Sequence, residues 1–132
     1  MKIVMIHGQN HEGSTCMVAR ELAHKVGGEM QEFFLPQDFD EPCLGCYTCF
    51  KTDLTHCPHY KKLEPLVAAV LEAELLILDS PVYVYHATGQ MMSFLDHFGT
   101  WWMENSYNFA QLFVDFIVLS RNYFNLYFSL AF

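Results

Sequence analysis

Two uninterrupted apolar runs, Ile3-Val4-Met5-Ile6 and Leu75-Leu76-Ile77-Leu78, constrain the fold of this chain more than any other feature. Each is short, lacks polar alternation and ends at once in a polar loop. That is how a strand buried on both faces reads, and such strands belong to parallel sheets covered by helices. The segments between and after them have helical spacing. From Thr15 to Val26 the apolar Met17, Val18, Leu22 and Val26 predict a helix that Gly27-Gly28 stops. Leu63, Leu66, Val67, Val70 and Leu71 line one helical face, with Pro65 tolerable in the first turn. Met91, Met92, Phe94, Leu95, Phe98 and Trp102 predict a third helix, and Glu32 to Leu35, closed by Pro36, a short second strand. The resulting order of strand, helix, strand, helix, strand, helix predicts an α/β domain.

Length and charge narrow the class. A chain of 132 residues is one domain's worth, and 52% apolar against 17% charged residues excludes wholesale disorder. The net charge of −8 argues against a nucleic-acid partner and against an anionic membrane surface. Any phosphate must be held by local geometry, against the global field. The start, MKIVMIHGQN, is too briefly apolar for a secretion signal, and five cysteines without a signal point to a reducing compartment, with the cytoplasm as expectation.

In an open parallel sheet the binding crevice lies at the carboxyl ends of the strands, where the winding reverses. Two loops qualify. Gly8-Gln9-Asn10-His11-Glu12-Gly13 meets Ser14-Thr15, which read as N-cap residues of the first helix. Its helix N-terminus suits a phosphate, with hydroxyl donors on Ser14 and Thr15, a charge-assisted donor on His11, and close backbone approach at Gly8 and Gly13. The spacing is neither a dinucleotide fingerprint nor a nucleotide P-loop, and a simple capped turn is the other reading. The second loop runs Ser80-Pro81-Val82-Tyr83-Val84-Tyr85-His86-Ala87-Thr88-Gly89-Gln90. Its aromatic pair suits a planar ring, whose polar edge could bond loop N–H groups, Thr88 or His86; a surface loop with incidental tyrosines is the alternative. With strand order 2-1-3 the two loops become neighbours, and a phosphate beside a flat ring describes a flavin mononucleotide site.

Residues 1–103 resemble the flavodoxin-like NAD(P)H-dependent FMN reductase and iron–sulfur flavoprotein group. The resemblance is carried by Gly8 to Thr15, by Cys43-x-x-Cys46-x-x-Cys49, and by Ser80-Pro81-Val82-Tyr83 with Gly89-Gln90 and Phe94-Leu95-Asp96. It implies a doubly wound parallel sheet of order 2-1-3-4-5. It also implies FMN held without a covalent bond, by Gly8, Asn10, His11, Gly13, Ser14 and Thr15 at the phosphate and by Pro81, Val82, Tyr83, Val84, Tyr85 and His86 at the ring. NAD(P)H as electron donor, a small-molecule acceptor such as a quinone or flavin, and a homodimer are implied with it. The flavin performs the redox chemistry, so no protein acid, base or nucleophile is assigned.

Cys43, Cys46, Cys49 and Cys57 form C-x2-C-x2-C-x7-C. The first three resemble the compact ferredoxin run, and a 4Fe–4S cluster near the flavin is one reading. Zinc on four sulfurs, or on three with His56 or His59, is another, and free thiols a third. Cys16 reads as a small core residue, His7 and His97 as packing or helix-end residues, and His24 as exposed. A non-catalytic metal-binding or electron-transfer module is therefore the second functional hypothesis.

Past Met103 the composition changes. Residues 104–132 hold nine Phe or Tyr and no Lys, Gly or Pro. Phe113 to Leu119 could make a fourth strand, whereas Asn122 onward fits no clean period. The glycine-rich loop that relatives place after their fourth strand is not recognisable. The expectation is a flavin-binding part at 1–103 and a divergent tail at 104–132. That tail is read as a truncation, frameshift or gene-model error that removes the last strand or strands, or alternatively as a divergent closing strand. On the truncated reading the chain could be a non-functional fragment.

Overall fold

The computed structural model describes residues 1–104, 116–119 and 125–128, with side-chain surroundings through residue 101. Its strands are β1 (Lys2–His7), β2 (Glu29–Phe34), β3 (Leu75–Pro81), β4 (Phe116–Leu119) and β5 (Asn125–Phe128). Their order in the sheet is 2-1-3-4-5. β1 pairs in parallel with β2 and β3, and β3 with β4. The spatial order is the expected one, and the sheet differs in the direction of β5, which is antiparallel to β4. Only residues 120–124 separate the two strands, too few for the crossover that a parallel neighbour requires. Of the expected Phe113–Leu119 strand, residues 113–115 lie outside the described residues.

Helices α1 (Ser14–Val26) and α3 (Tyr60–Glu72) cover opposite faces of the sheet. On the α3 face the core is large: Val4, Ile6, Leu76 and Leu78 meet Leu63, Leu66, Val67 and Val70, together with Met91, Phe94 and Phe98. On the α1 face, among the described residues, Ile3, Met5 and Ile77 meet Ala19 and Ala23, with Leu22 and Leu75 partly buried. The expected apolar face of α1 is therefore rotated. Met17, Val18 and Val26 are exposed, while Thr15, Cys16, Ala19 and Ala23 are buried. Small residues at i, i+4 and i+8 let the helix backbone lie close on the sheet, and larger ones at those positions would hold it off. In α3 the expected face is buried except for Leu71.

The predicted third helix is broken into α4 (Gly89–Leu95), a 3-10 turn (Asp96–Phe98) and α5 (Gly99–Glu104). The cysteine-rich loop contains a single turn, α2 (Thr48–Lys51), and a 3-10 turn at Leu54–His56 capped by Asp53. No helix among the described residues is long and apolar enough to cross a membrane.

Candidate functional site

The carboxyl ends of β1 and β3 bring the two expected loops into contact. Gly8 donates its N–H to the Asp79 carbonyl at 2.7 Å. Thr88 Oγ1 donates to the Gly8 carbonyl at 2.6 Å, and Thr88 N donates to Ser80 Oγ at 2.9 Å. A Cβ on Gly8 would lie 2.8 Å from Ser80 Oγ and 2.9 Å from Thr88 Oγ1, so glycine is required by the closeness of the loops. Thr88 also caps α4 through Met91 N, which leaves its hydroxyl committed to the loops and not to a ring edge. Buried Thr88 and Ser80 are thus the clamp of this crevice.

The first loop ends differently from its sequence reading. The N-cap of α1 is Gly13, without a side-chain cap, and Ser14 and Thr15 are the first helical residues. The free N–H groups of that first turn carry the positive end of the helix dipole. Thr15 is buried and its Oγ1 accepts from Gln9 Nε2 at 2.8 Å, which leaves the hydroxyl hydrogen to donate. A Cβ at Gly13 would stand 2.9 Å from Gln9 Nε2 and 3.4 Å from His11 Nε2, so an amide and an imidazole crowd this helix end. Asn10, His11 and Ser14 are exposed there. Glu12, the adverse charge, is drawn aside by Arg20 at 3.0 Å.

In the second loop Pro81 and Val82 are half-buried. Tyr83 and His86 exchange backbone hydrogen bonds of 2.8 and 3.2 Å around Val84 and Tyr85. Both central residues have positive φ, 50° and 69°, the geometry of a tight hairpin turn. Valine is poorly suited to that region, so the turn is strained. It holds Tyr85 out of the protein surface at 99% exposure, with Tyr83, Val84 and His86 also exposed.

Beneath the crevice lies a charged group that the sequence reading missed. His7, fully buried, stacks on Phe34 at 4.4 Å and places Nδ1 2.5 Å from Asp79 Oδ1 and Nε2 3.3 Å from Glu32 Oε2. The Asp79 contact is an ion-pair distance without good hydrogen-bond alignment, and the carboxylate has no hydrogen-bond partner among the described residues. Arg20 grips Glu32 through Nε and Nη2 at 2.8–3.0 Å and holds its carboxyl below the usual range. Cys16 approaches His7 and Glu32, but the guanidinium already supplies the cation there. A charged residue straight after Leu-Leu-Ile-Leu was the available signal for Asp79.

The expected metal residues do gather. Cys43, Cys46, Cys49 and Cys57 line one cavity of about 350 Å³, walled also by His59 and His97. Cys43 and Cys46 are exposed, while Cys49 and Cys57 are half-buried. Hydrogen bonding from Thr48 lowers the Cys46 thiol, whereas burial, then the neighbouring Cys57, raises Cys49. His56 lies apart on Asp53 at 3.2 Å, and His24 is exposed as expected. His97 is a packing, helix-end residue as expected: 2% exposed, it lies edge-on to Phe39 at 5.0 Å and reaches His59 at 3.3 Å across the cavity wall. Burial pushes its imidazole down from the ordinary value.

A family model described as NADPH-dependent FMN reductase matches residues 1–120, through β4. The chain belongs to that family. An iron–sulfur flavoprotein of Methanocaldococcus jannaschii is 30% identical over 100 residues, covering 73% of this chain and 51% of its own. A solved structure of a flavone reductase matches with a TM-score of 0.52 and 25% identity, over 75% of this chain and 30% of that one. The chain thus spans about half the length of the curated relative and less of the solved one.

The residues fit the flavin that the family implies. Gly8 is wedged where a Cβ has no room, the ring-suited loop is held against it through Thr88, and the helix that follows the first loop has no side-chain cap. They also fit a thiolate-held group, since four cysteines share one cavity.

Proposed function

We propose that this chain forms the FMN-binding part of an NAD(P)H-dependent flavin oxidoreductase that passes electrons to a small-molecule acceptor such as a quinone or flavin. The contact of Gly8 with Ser80 and Thr88 carries this reading, because it joins a phosphate-suited loop to a ring-suited loop where the winding of the sheet reverses. The first-turn N–H groups of α1, with Gln9, His11, Ser14 and Thr15, would hold the phosphate against a net charge of −8. Gly8, Asn10 and Gly13 give it backbone access. Pro81 to His86 would lie along the ring, Tyr85 shielding it from water. FMN, when bound, supplies the two-electron redox chemistry. A homodimer in the cytoplasm completes the reading.

A 4Fe–4S cluster on Cys43, Cys46, Cys49 and Cys57 is supported by their compact spacing and by the name of the relative, and would act as an electron carrier beside the flavin. The most tightly gathered donors in that cavity are nevertheless mixed, one thiol and two imidazoles. The flavin reading is tested by titrating FMN into the purified full chain and following its fluorescence. Saturable quenching with release of FMN on denaturation supports it, and a colourless chain that binds none overturns it.

A further inference from the structure

On the α1 face of the sheet, the row of Ile3 and Met5 ends in His7, and the row of Ile77 ends in Asp79. His7 directly precedes Gly8, and Asp79 directly precedes Ser80, so this pair lies at the root of both loops. Cys16, in the first turn of α1, has its Sγ within 4.8 Å of a ring nitrogen of His7 and of a carboxylate oxygen of Glu32. The pair is therefore packed under the helix end that suits a phosphate.

The charges there alternate. Asp79, His7, Glu32, Arg20 and Glu12 follow one another at 2.5, 3.3, 2.8 and 3.0 Å, from the strand ends out to the first loop. Both ring nitrogens of His7 face carboxylates, which only accept when ionised. A neutral ring carries one hydrogen and would turn a lone pair on one of these oxygens; imidazolium offers a hydrogen to each. Phe34 supports the charged form. Its ring lies 4.4 Å from that of His7 and 6.0 Å from the Arg20 guanidinium, and an aromatic face attracts cations. Asp79 is fully buried, and a buried carboxylate keeps its charge only beside a cation. Arg20 is engaged with Glu32 and Glu12. With His7 charged, three carboxylates face two cations; with it neutral, they face one.

We propose that His7 is held as an imidazolium whose charge cancels that of Asp79, and that this cancellation lets the crevice prefer FMN to riboflavin. The proposal rests on the flavin reading and deepens it. His7 acts through Asp79 as a positioning residue, and contacts no flavin atom itself. Without its proton, a bare carboxylate would lie under the helix end and repel the phosphate dianion, while the uncharged ring of the flavin would bind as before.

Two measurements on the purified full chain test this. The first is a long-range ¹⁵N–¹H correlation spectrum of the flavin-free, histidine-labelled chain at about pH 7, near the ordinary titration of the side chain. His7 is assigned among the seven histidines by its loss from the double variant His7→Gln with Asp79→Asn. Two protonated ring nitrogens are expected, and a neutral ring overturns the proposal. The second compares FMN with riboflavin by fluorescence quenching. Wild type should bind FMN the more tightly. His7→Gln should weaken FMN more than about tenfold and leave riboflavin within about threefold, because only FMN carries the charge that Asp79 repels. The double variant removes both charges together and should return FMN to within about threefold of wild type. A merely structural role would move both flavins alike, so equal losses in His7→Gln, or an unchanged preference for FMN, overturn the proposal alone. Should His7→Gln fail to fold, the spectrum and the double variant decide: loss of the FMN preference in the double variant overturns it. A folded wild type that binds neither flavin overturns the flavin reading and this proposal together.

Discussion

Thr88 caps the start of α4 in the strand-end crevice, and His97 lies in the 3-10 turn just past its other end, in the cysteine cavity. At about 1.5 Å per residue they are on the order of 13 Å apart. The crevice is built mostly from backbone: strand ends, a helix terminus, and a threonine and serine that lock carbonyl and N–H groups. The cavity is built from side chains on an irregular loop that ends at His59, just before α3, and leans on Asp96, His97 and Gly99 in the turn after α4 and the start of α5. Backbone geometry follows from the sheet, so the crevice is set once β1 and β3 pair. The cavity wall brings together His59 and His97, 38 positions apart, whereas the crevice joins Gly8 and Thr88, 80 positions apart.

Breaking the shared element should damage both regions. Phe94, buried between the sheet and Phe98, anchors α4. Phe94→Ala should cost about 3–5 kcal/mol in denaturant unfolding and reduce FMN and metal content together. Selective loss of one would show that α4 does not couple them. Gly8→Val should strike the crevice alone. Its side chain must displace Ser80 or Thr88, with a cost of about 1–3 kcal/mol and loss of FMN binding.

Thr88→Val keeps the volume but removes the donor to Gly8 and the acceptor for Met91 N. A loss of about 1–3 kcal/mol is expected, with weaker FMN binding and unaltered metal binding. Glu32→Gln weakens the grip of Arg20 between α1 and β2, at about 1–2 kcal/mol in the same assay. The folded carboxyl of Glu32 is depressed below 4.5, so its contribution is complete above that value and is lost as pH falls through the folded pKa. A denaturation series from pH 6 to about pH 3 should therefore show the wild type and Glu32→Gln converging in acid. Tyr85→Ala should be smallest in stability, within about 0.5 kcal/mol, because the ring is exposed. Its effect belongs in the FMN spectrum; an unchanged spectrum and affinity would remove Tyr85 from the ring site.

The legible parts of the fold were those with one strong local cause. Ile3–Ile6 and Leu75–Leu78 are strands because nothing else suits short, unbroken apolar runs, and their loops follow at the ends. The face of α1 was misjudged because its buried positions are Ala, Cys and Thr, whose smallness favours close approach and leaves no hydrophobic signature. Gly13 as N-cap was masked by two better cap residues directly after it. The antiparallel β5 follows from its short separation from β4, although its residues show no clear period. The cysteines announced themselves by spacing, whereas His97 looked like one more residue on an apolar helix. Its partner lies in a different segment, and only the folded chain puts the two nitrogens side by side.

The central claim is that two loops, locked by Gly8 and Thr88, form a flavin site within this chain. Isothermal titration of the full chain with FMN tests it most directly. The account predicts saturable binding of about one FMN per chain, abolished by Gly8→Val at a temperature where that variant is folded. No measurable heat and no fluorescence quenching with the folded wild-type chain would contradict it.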